Sequence, residues 1–269
     1  MRIFVLSALL WSAPAFAGGL PEDVLNAASG VPVVIAGEMH DNPAHHAAQA
    51  GLVAHLQPRA IVFEMLTEAQ AAAVTPENRA TQSELDAAIG WSDSGWPDFA
   101  MYYPIFAAAP EAAIHGAGVP RDAARAAMQA GIAESFGPEA AAYGLTDPLP
   151  QGQQEAREAM QLAAHCNAMP AEMLPVMVDL QRLRDAVLAR ETLRALDATG
   201  GPVVVITGNG HARRDWGVPA TIALLRPDLE VLSIAQDEDG SGIAGGFDLL
   251  LPGPSVERPD PCEGFRQAG

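Results

Sequence analysis

Two apolar runs, each followed by a glycine-hinged histidine, constrain the fold of this chain most. The first run covers residues 31–35, is rich in β-branched side chains and leads into the turn Gly-Glu-Met-His at 37–40. The second covers residues 203–207 and leads into Gly-Asn-Gly-His at 208–211. Continuous apolar runs of this kind indicate buried parallel strands. Because ligands bind at the carboxyl ends of such strands, both turns are predicted to meet at one site.

The residues that follow the first turn predict a helix with more polar groups at its start. Asp41 or Asn42 is the expected N-cap, and Pro43 the first helical residue. His45 and His46 fall in the first turns of this helix. A single histidine beside a strand end usually forms an ordinary hydrogen bond or cap. Three histidines and two acids within nine residues instead favour a functional site.

Strand and helix patterns alternate at both ends of the chain, which predicts an α/β fold with a mainly parallel sheet flanked by helices. Further strands are predicted at 59–66, 111–119, 229–235 and 247–251. Residues 91–199 are mostly helical apart from the strand near 112–119, and are interpreted as a helical insertion or lid. The α/β domain is therefore predicted to comprise residues 18–90 and 200–269.

Charge and the first residues bear on partners and location. Acidic residues outnumber basic ones 33 to 15, the formal net charge is −18, and every basic residue is an arginine. Such a chain repels nucleic-acid phosphates and anionic lipids, so neither is an expected partner.

Arg2, an apolar stretch at 3–11 and the small residues Ala15 and Ala17 predict a cleavable signal peptide at 1–17 and a periplasmic protein. An uncleaved membrane tether is the alternative, and no cysteine near the cleavage site supports a lipid anchor.

Two further features leave alternatives open. Cys166 and Cys262 could form one disulfide between the tail and the helical middle of an exported protein, or remain free thiols. Residues 90–104 contain two tryptophans, one phenylalanine and two tyrosines. Such aromatic density builds either a packed corner or the wall of a pocket for a flat apolar ligand.

Several motifs taken together resemble the ChaN family of haem-binding uptake proteins, part of the Tiki/TraB/erythromycin-esterase-like superfamily. In chain order they are GExHDNPxHH, FEML, the aromatic segment ending in Tyr-Pro, AHCxxxP, QRLRDA, GNGHAR followed by GVP, and ERPDPCEGF. The resemblance implies an exported protein that binds haem in bacterial iron uptake. It also implies a homodimer that can enclose stacked haems, and outer-membrane or periplasmic haem-transport components as partners.

The resemblance further implies a tyrosine as the ligand of the haem iron, and a phenolate oxygen suits ferric iron. Tyr103 is the first candidate and Tyr143 the second. Haem propionates would be held by a histidine and, since the chain has no lysine, by arginines. The preferred candidates for that role are His165, Arg121 and Arg184, and the other arginines considered are Arg182 and Arg213.

The enzymatic branches of the same superfamily give the alternative, a metal-dependent hydrolase of the peptidase or esterase type. The residues that would bind one divalent metal or activate water as general bases are Glu38, His40, Glu64 and His211. Imidazole nitrogens with carboxylate oxygens suit manganese, cobalt or zinc. The groups expected to support these ligands are Asp41, His45, His46 and Arg213. A haem-binding protein without catalytic activity is the preferred prediction. For Glu64 taken alone, a salt bridge to an arginine is the simpler interpretation.

Overall fold

A computed structural model describes residues 19–260 and 262–263, so the signal peptide predicted at 1–17 lies outside the described residues. The strands are β1 (Val33–Glu38), β2 (Ala60–Phe63), β3 (Ala113–Gly116), β4 (Val203–Gly208), β5 (Val231–Glu238) and β6 (Leu249–Gly253). They form one sheet in the order β3-β2-β4-β1-β5-β6, and every pair is parallel. This confirms the predicted α/β fold with a parallel sheet.

Eleven α-helices surround this sheet in the described part of the chain. They are α1 (Glu22–Ala28), α2 (Pro43–Leu56), α3 (Glu68–Ala72), α4 (Gln82–Ile89), α5 (Phe99–Ala108), α6 (Arg121–Ala130), α7 (Ile132–Phe136), α8 (Gln151–Ala164), α9 (Leu174–Thr199), α10 (Asn209–Ala212) and α11 (Val218–Leu225). None of these described helices has the length and apolar character needed to cross a bilayer. The short helix α7 lies between two glycines, and its five residues are too few to show a helical period in the sequence.

The sheet separates two apolar cores, since successive side chains of a strand point to opposite faces. Val34 and Ala36 of β1 pack with α1, α2, α4 and α5 on one face. Val33 and Ile35 pack with α6, α7, α9 and α11 on the other. The segment 91–199 supplies helices to both cores, and its strand β3 pairs with β2 at the edge of the same sheet. A division of the chain into domains at 91 and 199 stays a prediction.

The C-terminal tail is attached to the carboxyl ends of β1 and β5. Asn42 is the N-cap of α2, and its Oδ1 accepts a hydrogen bond from the backbone N–H of Ala44 (2.9 Å). Its Nδ2 also donates to Pro254 O (2.8 Å) in the tail. Arg258 pairs with Asp41 and with Glu238 (2.7 Å to each). These polar contacts hold the tail beside the turn that follows β1.

A disulfide joins Cys262 in this tail to Cys166, which follows α8, across a separation of 96 residues in the chain. Of the two alternatives left open by the sequence, the structure has the bridge. The tail is therefore fixed at both ends, to the sheet through Asn42 and Arg258 and to the helical layer through Cys166.

Replacing Cys262 by serine is expected to lower the free energy of unfolding by about 2 kcal/mol. A cross-link over a long loop restricts the unfolded chain, and about 2 kcal/mol is the low end of the range for loss of a native disulfide, since measured values are often below those that loop length predicts. Urea unfolding of the oxidised parent and of Cys262→Ser at neutral pH measures the difference. The parent in excess reductant is the control and should match the variant. A variant as stable as the oxidised parent would show that the bridge does not stabilise the fold.

Candidate functional site

A cavity of about 880 Å³ opens at the carboxyl ends of β2, β4 and β1. These three strands are neighbours in the sheet, so the residues that follow them meet at one place. The four side chains predicted to converge there all line the cavity: Glu38, His40, Glu64 and His211. The two Gly-x-x-His turns, about 170 residues apart in the chain, thus contribute to one site.

Glu38 is the centre of the first polar group at the end of β1. It is 1% exposed. Its Oε1 accepts hydrogen bonds from His40 Nδ1 (2.8 Å) and from the Tyr102 hydroxyl (2.9 Å). His46 Nδ1 lies 3.1 Å from Oε2. Burial disfavours the charged carboxylate, but the hydrogen bonds from His40 and His46 outweigh burial and lower the pKa of Glu38 to about 2.

His40 connects this group to the cavity. Burial lowers its pKa, but Glu38 and then Glu64 outweigh burial and raise it. The ring meets Trp96 edge-on, with 4.9 Å between ring centroids. A Cβ at Gly208 would lie 2.9 Å from His40 Nε2, so any larger residue at the end of β4 would displace the His40 ring. The glycine of the second turn thus makes room for the histidine of the first.

His211 is the centre of the second polar group. Its Nδ1 donates to Asp185 Oδ1 (2.7 Å), and its Nε2 lies 3.6 Å from Glu64 Oε1. Glu64 Oε2 accepts hydrogen bonds from Thr207 Oγ1 (2.7 Å) and Gly208 N–H (2.8 Å). Burial disfavours the imidazolium, but the two facing carboxylates, Glu64 first, raise the pKa of His211 to about 9. At neutral pH His211 is therefore a cation held between two acids.

Asp185 is a site residue that the sequence did not single out. It lies on α9, is 4% exposed, and lines the same cavity. Burial raises its pKa, while the charge of His211 and the hydrogen bond to it act in the opposite direction. The available signal was an acid in the QRLRDA motif, close to the apolar stripe of a long helix.

The predicted divalent metal is not supported. Among residues 19–260 and 262–263, no group of three or more His, Cys, Asp or Glu side chains is placed to hold a metal ion. The physical reason is that the Nε2 of His211 faces Glu64 Oε1 (3.6 Å) while the two carboxylates keep the ring protonated, whereas a metal ligand must be a neutral imidazole. Imidazoles neutralise the carboxylates here, so the metal-dependent hydrolase is not favoured.

Of the four residues predicted to support this site, two contact it and two do not. His46 contacts Glu38, and its Nε2 donates to His40 O (2.9 Å). His45 accepts from Met39 N–H through Nδ1 (2.9 Å) and so holds the turn that follows β1. Among the described residues, no hydrogen bond or ion pair joins the side chains of Asp41 and Arg213 to Glu38, Glu64, His40 or His211. Asp41 pairs with Arg258, and Arg213 pairs with Asp215 and stacks on Trp216.

All three tyrosines lie in the described part of the chain, and none lines the cavity. The half-buried Tyr103 donates to Arg79 O (3.2 Å) and Ala80 O (3.1 Å). Tyr143 is 7% exposed and packs against Phe136. Tyr102 is fully buried with its hydroxyl on Glu38, and burial, then that carboxylate, raises its pKa.

Of the three residues predicted to bind haem propionates, two line the cavity and one does not. Arg121 and Arg184 line the cavity. His165 ends α8 instead, where its Nδ1 donates to Gln161 O (2.8 Å) outside the cavity lining. Arg157 on α8 does line the cavity, and the sequence did not single it out because an arginine on a polar helix is usually solvated.

The fold and cavity define an α/β protein whose ligand site lies at the carboxyl edge of a parallel sheet. The family described as haem-binding uptake, Tiki superfamily, ChaN matches residues 24–222, and the chain belongs to this family. The resemblance predicted from the motifs is thereby confirmed.

Two solved structures are similar to this chain. The first is described as cofacial heme binding to ChaN of Campylobacter jejuni. It has a TM-score of 0.63 and 17% identity, and the match covers 82% of this chain and 87% of that chain. The second is the type III effector HopBA1, with a TM-score of 0.48 and 15% identity over 87% of this chain and 92% of that chain. A comparison with curated proteins gives no match.

Proposed function

We propose that this chain is an exported haem-binding protein of bacterial haem and iron uptake, and that the cavity at the carboxyl edge of the sheet is where the haem is held. Membership of a haem-binding uptake family supports the ligand. The observation that carries the proposal is the cavity itself, whose volume of about 880 Å³ suits a large ligand. The porphyrin ring of haem is flat and apolar, and it carries two carboxylates. A haem site therefore needs apolar walls and cationic side chains.

The lining residues fit such a ligand. The apolar part of the cavity lining includes Trp96, Met65, Val119, Met160, Val178 and Trp216. The arginines that line the cavity are Arg121, Arg157 and Arg184. Guanidinium groups bind carboxylates through two parallel hydrogen bonds, and aromatic rings stack on flat apolar surfaces. Haem bound here would bring one-electron iron chemistry, while this chain's residues would bind and orient it.

Ligation of the iron by a tyrosine is the finer part of the proposal. Because the hydroxyls of Tyr103 and Tyr143 lie outside the cavity of their own chain, a phenolate would reach a haem seated there from a second copy. A homodimer that closes over the ligand therefore belongs to the proposal. Partial exposure supports Tyr103 as the first candidate, with the more buried Tyr143 second.

Tyr103→Phe is expected to abolish the ferric–phenolate absorbance band of the haem complex and to weaken haem binding about tenfold or more. Absorbance titration with ferric haem measures both effects, and analytical ultracentrifugation should show the parent dimerising on haem addition. Tyr143→Phe is the matched control and should keep the band. If Tyr143 is the ligand, Tyr143→Phe loses the band and Tyr103→Phe keeps it. If Tyr102→Phe, Tyr103→Phe and Tyr143→Phe all bind haem like the parent, tyrosine ligation is wrong.

Export to the periplasm and delivery of haem to transport components complete the proposal. They rest on the signal-peptide pattern at 1–17 and on the uptake role in the family description. The mass of the mature protein recovered from a periplasmic extract tests cleavage after Ala17.

A further inference from the structure

Arg157 is a buried cation whose hydrogen-bonding capacity is largely unused. It is 7% exposed and lines the cavity from α8. Its Nη2 donates to Trp216 O over a long 3.4 Å, and its buried Nε has no hydrogen-bond partner among the described residues. A guanidinium carries five N–H donors, and buried charges are normally paired. The side chain is therefore poised for an acceptor that the described chain does not provide.

The neighbours of Arg157 show why this acceptor is an anion. Arg157, Gln161, Gln181 and Arg184 form one wall of the cavity, here called the α8–α9 wall, and every one of these side chains can donate hydrogen bonds. The acid on this wall, Asp185, is already bonded to His211. Trp216 packs near the Arg157 guanidinium, 5.0 Å from its central carbon to the ring centroid. Asp185 attracts Arg157 through space but is not hydrogen-bonded to it, so an anion beside the α8–α9 wall would meet donors that are not hydrogen-bonded to a carboxylate in the described part of the chain.

The overall charge of the protein makes such a local cation necessary. A formal charge of −18 repels a ligand that carries carboxylates. Arg213, the other guanidinium on Trp216, cannot serve equally, since Asp215 already pairs with it at 2.6 Å. Within the described residues Arg157 is thus a buried arginine of the cavity with an unpartnered donor atom.

We propose that Arg157 anchors a ligand carboxylate at the α8–α9 wall, and that for haem this carboxylate is a propionate. This inference rests on the proposed function and deepens it, by naming a residue of this chain that selects ligands by their acid groups. Two N–H groups of one guanidinium can hold both oxygens of one carboxylate.

The test uses iron-free protoporphyrin IX and its dimethyl ester, so that the result does not depend on iron ligation. Fluorescence titrations compare the parent full-length mature chain with Arg157→Met and Arg157→Lys. Arg125→Met is the matched control, an exposed arginine on α6 that does not line the cavity. Arg157→Met is expected to weaken binding of the diacid about 10- to 100-fold and to change ester binding by less than about threefold. Arg157→Lys should fall between, because it keeps the charge and loses the paired donors.

The inference is overturned if Arg157→Met binds the diacid like the parent, or if it loses diacid and ester equally while its circular dichroism stays native. Should Arg157→Met not fold, Arg157→Lys provides the same diacid-against-ester comparison. A parent chain that binds the diacid but gives no ferric–phenolate band with haem would refute tyrosine ligation and leave this inference standing. A parent that binds neither porphyrin would refute both.

Discussion

Replacing Glu38 by alanine is expected to lower the free energy of unfolding by about 3–5 kcal/mol. The carboxylate is the shared partner of His40, His46 and the Tyr102 hydroxyl, all at 3.1 Å or less. Without it, the buried Tyr102 hydroxyl loses its nearer acceptor, and the buried His46 ring loses the carboxylate that lies 3.1 Å from its Nδ1. Buried polar groups left without partners are among the few causes of such large losses.

Urea unfolding at pH 7 measures the effect. Glu172→Ala removes an acid that is exposed, and it should stay within about 0.5 kcal/mol of the parent. Glu38→Gln keeps the shape and one acceptor oxygen and should fall between the two. A loss below about 1 kcal/mol for Glu38→Ala would mean that the three partners find other acceptors.

Alkaline pH is expected to destabilise the protein through His211. Its pKa is raised from 6.5 to about 9 in the folded state, so its contribution is complete below pH 6.5 and is lost as pH rises through about 9. A difference of this size corresponds to about 3 kcal/mol. The cause is the pair of carboxylates, Glu64 and Asp185, that face the buried ring.

Unfolding free energies of the parent measured from pH 6 to pH 10 test this expectation. His211→Gln should flatten the alkaline limb of the profile, because the titrating group is gone. Asp185→Asn should shift that limb to lower pH, because one of the two carboxylates that hold the proton is removed. If His211→Gln shows the same pH profile as the parent, another group is responsible.

The part of the site that lies directly after the strands could be predicted from the sequence. A buried parallel strand has a strong local signature, and the residue after its last apolar position lies at the carboxyl edge wherever the strand sits in the sheet. Glu38, His40, Glu64 and His211 were found in this way. Equally local chemistry limited the N-cap of α2 to Asp41 or Asn42, and the structure has Asn42.

Residues supplied by helices could not be predicted in the same way. Asp185 and Arg157 reach the cavity only because α9 and α8 pack at particular angles, which no local pattern records. The adjacent residues Tyr102 and Tyr103 show the difficulty at its sharpest. Successive residues of a helix point about 100° apart, so one phenol meets Glu38 while its neighbour meets the carbonyl of Arg79.

The aromatic segment 90–104 contributes both to the packed core and to the wall of the cavity, the two alternatives that the sequence left open. Trp91 and Tyr102 belong to the packed core, whereas Trp96 lines the cavity beside His40. Local composition indicated the aromatic density, but the split between core and wall depends on the turn between Trp91 and α5.

The pairing of acids with imidazoles has a consequence for proton exchange at this site. Glu38 releases its proton near pH 2 and His211 near pH 9, so neither group changes its charge across the interval between those values. General acid–base catalysis works best with a group that titrates close to the ambient pH. These two residues instead keep one ionic form from acidic to neutral pH, so the charges at this end of the cavity stay constant over that range.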